Sequence, residues 1–299
     1  MNSAAGNAIK GAPVRRKRSR SKLGEIWHRY RKNNVAVIGL VVISIFIFAA
    51  IFADLIVPFE RATRQVIANR LQPSSAQHWF GTDALGRDIF ARVLHGTRFS
   101  LAIGIITTVC SLLISLVVGS LAGYFSGTID MIIMRLMDVL TAIPGLLLCI
   151  GIVAALGASE INLFIGMTLI GIPNFVLIIR TAILNIVNQE YIEATRACGT
   201  SQFRTIWKHV LGNATGPIIV AATLNVSAMI LNAATLSFIG LGFQPPTPEW
   251  GAMLNDAREF MRTSFHMMVY PGVAIILSTL SINLMGDGLR DALDPKLKN

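Results

Sequence analysis

The chain has 299 residues, 53% of them hydrophobic and only 14% charged, with a formal net charge of +10 and a mean hydropathy of +0.61. Soluble globular domains carry about 25% charged residues, so the composition excludes an ordinary soluble protein and predicts an all-α integral membrane protein. Cys110, Cys149 and Cys198 have no metal-ligand spacing and two of them fall in apolar runs, which argues against a disulfide framework or a zinc site.

Residues 1–34 form a basic tail with Lys10, Arg15, Arg16, Lys17, Arg18, Arg20, Lys22, Arg29, Arg31 and Lys32. A tail directly before an apolar run sets membrane orientation rather than binding nucleic acid, with attraction to anionic lipid as a by-product. It is too long and basic for a signal-peptide leader and no A-x-A site follows, so the first segment is expected to stay in the mature protein.

A membrane-crossing helix needs about 20 apolar residues. Six segments qualify: 35–57, 99–124, 140–156, 161–184, 217–241 and 267–285. The third is the least defined, because "DMIIMRLMDVL" reads either as its first turns or as a separate interfacial helix. The organisation expected is a tail (1–34), a first span (35–57), an external loop (58–98), a five-helix core (99–286) with a polar segment at 188–213, and a C-terminal tail (287–299). With the basic tail in the cytoplasm, six crossings return the C-terminus there. Most of the 26 Lys and Arg then face inward, and most outward ones sit in the long 58–98 loop, where the orientation rule is weak.

In that loop Gly81 and Gly86 make turns. Ile89, Phe90, Val93 and Leu94 then give an apolar face bounded by Arg87 and Arg92, an amphipathic helix lying in the outer interface. Asp83 and Asp88 are available as caps; a calcium loop would need more oxygen ligands at alternate positions. Pro173, Asn174, Asn225, Ser227, Asn232, Pro271 and Asn283 lie in or near the spans, as packing groups between helices or as lining of a pathway. In "PPTPEWG" the prolines stiffen an external loop and Trp250 suits the headgroup level. That loop reads equally as a rigid turn or as a docking surface for an external protein. Asp287, Arg290 and Asp291 begin a short cytoplasmic helix that Pro295 limits.

Residues 191–213, "YIEATRACGTSQFRTIWKHVLGN", are polar and basic between two apolar spans. The stretch splits at Gly199. Beyond it Phe203, Ile206, Trp207, Val210 and Leu211 make one apolar stripe opposite Arg204, Thr205, Lys208 and His209, with Thr200 or Ser201 as cap. Before it "EYIEATRAC" is a short helix carrying Ala194 and Ala197 on one side. Two helices bent at a glycine and lying across the membrane surface are predicted. Pattern alone leaves an interfacial connector and a docking site for a soluble partner both open.

"EATRACG" is similar to the EAA motif of permease subunits of ABC importers. Glu193, Ala194 and Gly199 match, and Thr195 stands where a second alanine is usual. Downstream Leu211 matches the motif's ending, whereas His209 and Gly212 replace its apolar residue and proline. "GTDALGRDIFARVLHGTRFSLAIG" (81–104), "GLGFQPPTPEWGAML" (240–254) and "NLMGDGLRDALDPKLK" (283–298) resemble signatures of dipeptide and oligopeptide importers, in the C-type of their two permeases. The resemblance runs from about residue 25 to the end of the chain. It implies six transmembrane helices in the type I ABC importer permease fold, in a bacterial inner membrane with both termini cytoplasmic. It also implies a homologous second permease, two ATP-binding subunits and an extracytoplasmic peptide-binding protein as partners beside the lipid bilayer. Glu193, Ala194, Ala197 and Gly199 would then be the ATPase-coupling residues, and the cargo a di- or oligopeptide or a related solute such as glutathione.

No G-x-x-x-x-G-K-[ST] phosphate loop occurs in the chain. ATP and magnesium are therefore expected on partner subunits, with no cofactor here. His28, His78, His95, His209 and His266 are dispersed, no catalytic constellation is evident, and the chain reads as a non-enzyme. The competing class is an ion- or proton-coupled secondary transporter, which keeps ionisable groups in mid-membrane. Asp54, Glu160 and Arg180 all fall near span ends, and the second, third, fifth and sixth spans have none inside the bounds given. The residues that would bind substrate are not identifiable from sequence.

Overall fold

The computed structural model describes residues 22–293, so most of the basic tail and the C-terminal Pro295, Lys296 and Lys298 lie outside the described residues. The described chain is helical: α1 (Lys22–Tyr30), α2 (Asn34–Ile56), α3 (Phe59–Thr63), α4 (Ile89–Phe125), α5 (Gly127–Thr141), α6 (Gly145–Leu156), α7 (Glu160–Val187), α8 (Glu190–Ala197) and α9 (Gln202–Arg204). From α9 a π-helical turn (Thr205–Val210) runs into α10 (Leu211–Phe238), followed by α11 (Trp250–Ala257) and α12 (His266–Leu293).

Five runs are long and apolar enough to cross a membrane: α2, α4, α7, residues 202–238 and α12. The expected third span differs. It is the bent pair α5 and α6, whose axes turn by 79°. Pro144 lies at the break; it has no N–H to give a continuing helix and disfavours helical backbone at Ile143 before it.

The amphipathic helix expected over 89–94 to lie in the outer interface and feed the second span is continuous with that span, as the start of α4, a single helix of 37 residues. Asp88 caps it by accepting from the N–H of Ala91. Gly96 does not break the rod. Its missing Cβ makes room for the carbonyl of Pro248, which would stand 2.3 Å from that carbon. Likewise Asp287, Arg290 and Asp291 do not begin a short helix; they are the last turns of α12.

α4 and α7 meet along a seam of small residues, which lets membrane helices approach closely. A Cβ on Gly119 would lie 3.0 Å from the Ile179 Cβ, and one on Gly123 2.9 Å from that of Ile183. Ser111 and Ser115 donate across the same seam to the carbonyls of Thr168 and Ile172 at 2.7 and 3.1 Å. Overpacking such a seam costs about 1–3 kcal/mol. Gly123→Leu should therefore lower the thermal midpoint in detergent, whereas Gly151→Ala, whose new methyl meets nothing within 4 Å, should leave it in place.

The two ends of the described chain sit at one end of the bundle. Asn33 bonds Asp291 at 3.4 Å, and the Tyr30 hydroxyl donates to the carbonyl of Ala36 at 2.9 Å. α4 runs antiparallel to α2, since Ala53 and Val57 pack on Ala91 and Leu94. The C-terminal turn of α4 with Tyr124 is thereby brought to the same end as Asn33.

Candidate functional site

α8 is held from below by three attachments. Ile192 is fully buried and packs in the apolar cluster of Ile183, Ile206 and Val210. The Arg196 guanidinium lies over the Tyr124 ring, 4.9 Å from its centre, a cation–π geometry. Asn213 of α10 donates to the Tyr191 hydroxyl at 3.3 Å. Thr195, the departure from the motif, spends its hydroxyl on the carbonyl of Tyr191 at 2.7 Å.

The other side of α8 is bare. Glu193, Ala194, Ala197 and Gly199 are all exposed, and the first three share a helix face at spacings of three and four. Gly199 takes φ +75°, and a Cβ there would meet nothing within 4 Å. The structure thus brings the four predicted residues into one exposed patch beside the Tyr124 end of α4. The second helix of the expected surface pair is corrected: residues 202–210 are the first turns of the long α10 run. The apolar stripe also splits, with Ile206, Val210 and Leu211 buried but Phe203 72% and Trp207 43% exposed. The π turn shifts the bonding register by one residue, so a stripe read at 3.6 residues per turn no longer faces one way.

At the opposite end a charged clamp fastens the loops to α4. Asp83 accepts from Arg87 Nε at 2.6 Å and from Arg92 Nη1 at 2.5 Å, and Asp256 accepts from the same arginines at 2.9 and 3.4 Å. The second oxygen of Asp83 accepts the N–H groups of Leu85 and Arg87 at 2.9 Å each. Burial pushes the Asp83 carboxyl up, but the charges of Arg92 and Arg87 outweigh it and hold the group below its ordinary value. Gly86 (φ +75°) makes the turn tight enough that a Cβ would stand 1.9 Å from the carbonyl of Val66. Asp83 is therefore the hub of an ion cluster rather than a cap, the role that Asp88 alone fills.

Asp88 also takes His78 at 2.8 Å and Arg61 at 3.2 Å. His95, fully buried, bonds the carbonyl of Val57 at 2.8 Å, and His266 bonds that of Thr82 at 3.3 Å. Three histidines dispersed in sequence thus gather here. Glu249 caps α11 through the N–H of Ala252 and accepts from Ser100 at 3.1 Å; burial pushes its carboxyl up, against the pull of the Gly251 and Ala252 N–H groups. Trp250 is not at a headgroup surface. It is completely buried, and its Nε1 donates to the carbonyl of Val93 at 3.0 Å. Among the described residues no three His, Cys, Asp or Glu side chains are grouped to hold a metal.

A cavity of about 690 Å³ opens between α7, α10 and α12, lined by residues that include Asn174, Ile178, Leu224, Asn225 and Arg290. Asn225 accepts from Thr108 of α4 at 3.0 Å, and Ser227 bonds Asn283 of α12. Those polar residues knit helices together. Asn174 is exposed and has no side-chain partner among the described residues. Arg180 is paired through two bonds, at 2.5 and 2.6 Å, with Asp130 of α5. That ion pair was not legible from spacing, because its members lie on different helices.

Residues 115–299 match the family model of the binding-protein-dependent transport system inner membrane component, and residues 21–73 that of the N-terminal TM domain of oligopeptide transport permease C. The chain is 44% identical, over 92% of its length and 90% of the relative's, to the dipeptide transport system permease protein DppC of Alkalihalophilus pseudofirmus. The chain belongs to this permease family. The permease is also 43% identical to the glutathione transport system permease protein GsiD of Pectobacterium atrosepticum, covering 96% of this chain and 95% of that one. The di/tripeptide permease DppC of Pseudomonas aeruginosa is 43% identical, over 93% and 94% of the two chains. In fold the permease matches the inward-facing methionine ABC transporter MetNI, with TM-score 0.58 and 18% identity over 69% of this chain and 98% of that one. It is thus a multi-pass inner-membrane permease with an ABC importer fold, a transport subunit rather than an enzyme. The family leaves the ion-coupled carrier without support.

Proposed function

We propose that this permease is the C-type membrane subunit of an ATP-driven importer of di- or oligopeptides, or of a related small solute such as glutathione. It works with a homologous second permease, two ATP-binding subunits that hold ATP and magnesium, and an extracytoplasmic binding protein. The observation that carries the reading is α8: a bare patch of Glu193, Ala194, Ala197 and Gly199 on a helix anchored to the bundle from beneath. A protein seated on that patch pushes through Ile192 into the core, through Arg196 into Tyr124 of α4, and through Gly199 into α10. Closure of the ATPase pair would use these routes to switch the bundle from inward- to outward-facing. The end bearing α8, α1 and the close of α12 then faces the cytoplasm, as the basic tail requires.

Energy separates this reading from an ion-coupled carrier. A thousandfold gradient needs about 4 kcal/mol, which two charges falling through 100 mV also supply at about 2.3 kcal/mol each. Collapsing the membrane potential while ATP is maintained should leave dipeptide uptake unchanged, and removing ATP should abolish it. Uptake that disappears with the potential while ATP is still present would defeat the proposal.

A further inference from the structure

The cavity between α7, α10 and α12 carries an inference that rests on the peptide-import reading and sharpens it. Asn174 lies midway along α7 and Asn225 midway along α10. At 1.5 Å per residue each is about 20 Å from the α8 end of its helix. Both therefore sit in the interior of a hydrocarbon layer about 30 Å thick. The other lining groups at this level are apolar, Ile178, Val220 and Leu224 among them. Arg290, exposed on the last turns of α12 at the α8 end, lines the same cavity and has no ion pair among the described residues.

A side-chain amide offers two N–H donors and a carbonyl acceptor, the same groups as a peptide bond. Asn225 spends its oxygen on Thr108 and keeps its donors; Asn174 keeps everything. The volume, about 690 Å³, lies within the range of small-molecule sites. An amide facing this apolar space is met by a passenger that supplies complementary amide groups in place of water. We propose that Asn174 and Asn225 bind the main-chain amide of the passing peptide, and that Arg290 at the mouth attracts its carboxylate. Recognition of this kind reads what all peptides share and leaves their side chains against indifferent apolar walls.

The test uses the complete transporter, with sister permease, ATPases and binding protein, in ATP-loaded proteoliposomes. The probes are alanyl-alanine and alanyl-lactate, in which an ester oxygen replaces the peptide N–H. The binding protein is common to every sample, so a change in the uptake ratio between permease variants belongs to the permease. The wild-type preference for the amide should fall about fivefold in Asn174→Leu, whose oxygen accepts from the peptide N–H, the worth of one hydrogen bond. Asn225→Leu, which loses only donors to the carbonyl common to both probes, should lower uptake of both, with binding-protein-stimulated ATP hydrolysis retained in each variant. Arg290→Gln should reduce uptake of both probes and leave their ratio alone. Should Asn225→Leu fail to assemble through loss of its Thr108 bond, Asn174→Leu, which removes no side-chain bond among the described residues, decides. An unchanged amide-to-ester ratio in Asn174→Leu, whether total uptake holds or drops, would overturn the assignment. A wild-type complex that imports neither probe, nor a longer peptide or glutathione, with ATP present would instead overturn the import reading itself.

Discussion

Gly199→Pro should leave the permease inserted and assembled yet cut peptide uptake about tenfold or more, equivalent to about 1.4 kcal/mol of lost coupling, while the complex continues to hydrolyse ATP. Gly199 holds φ +75°, a left-handed conformation, and proline fixes φ near −65°. Its N–H also donates to the carbonyl of Arg196 at 2.9 Å, and proline has none to give. The chain must therefore leave α8 in a new direction. No neighbour stands within 4 Å, so the change misdirects the link to α10 without disturbing packing. Glu193→Lys should have a similar outcome for a different reason. A first-turn acid contributes only about 0.3–1 kcal/mol to its helix, so folding survives while the charge of the exposed patch is reversed. Gly212→Ala, also in open space but without a left-handed backbone, is the matched control. Normal uptake in both variants, with the ATPase still bound, removes the coupling role from α8.

Asp83→Ala should be the most destabilising substitution in the loops at the clamp end of the bundle. Arg87 and Arg92 are only 3% exposed and share Asp83 as their buried counter-ion. Removing one partner of a buried charge cluster costs about 3–5 kcal/mol, and here two like charges are left facing each other. Asp256→Ala should cost less, because Asp256 is 31% exposed and water replaces it in part. Detergent melting of the purified variants checks the order. A loss below about 1 kcal/mol for Asp83→Ala, the scale of an average substitution, would mean the cluster is not a clamp. The sign of the pH effect follows from the lowered Asp83 carboxyl. Its stabilisation is complete above the unfolded value of about 3.9 and is lost only as pH falls through the lower folded value. Acidifying from pH 7 to 5 should leave the clamp intact.

Local patterns carried much of this architecture. Runs of apolar residues placed α2, α7 and α12 to within a few residues at the ends away from α8, and Asp88 was recognisable as a cap from its place before Ile89. What stayed hidden depends on distant partners. Asp256 meets Arg87 across a sequence gap that no spacing rule spans, and Asp130 meets Arg180 in the same way. Trp250 looks like an interfacial anchor by residue type, but the glycine gap at Gly96 and the carbonyl of Val93 give it a buried seat. The bend at Pro144 and the π turn at 205–210 escaped because apolar periodicity reports which residues avoid water and says little about where a helix axis changes course. At α8 a short polar helix between two spans was conspicuous, but its pattern left a connector and a docking site both open, and the four residues were named from the likeness of "EATRACG" to the EAA motif. Asn174 and Asn225 were visible as polar residues in apolar helices, but only the packing separates a bonded asparagine from a free one.

α4 is unbroken over 37 residues, about 55 Å at 1.5 Å per residue, so it overshoots a hydrocarbon layer of about 30 Å. One extremity is capped by Asp88 and bears Arg92 in the ionic clamp; the other bears Tyr124 under Arg196. A beam of that length tilted by about 3° displaces its far tip by about 3 Å, as simple geometry on the helix rise requires. A load that tilts this beam at one membrane surface moves its tip at the other, with no relay of side chains in between.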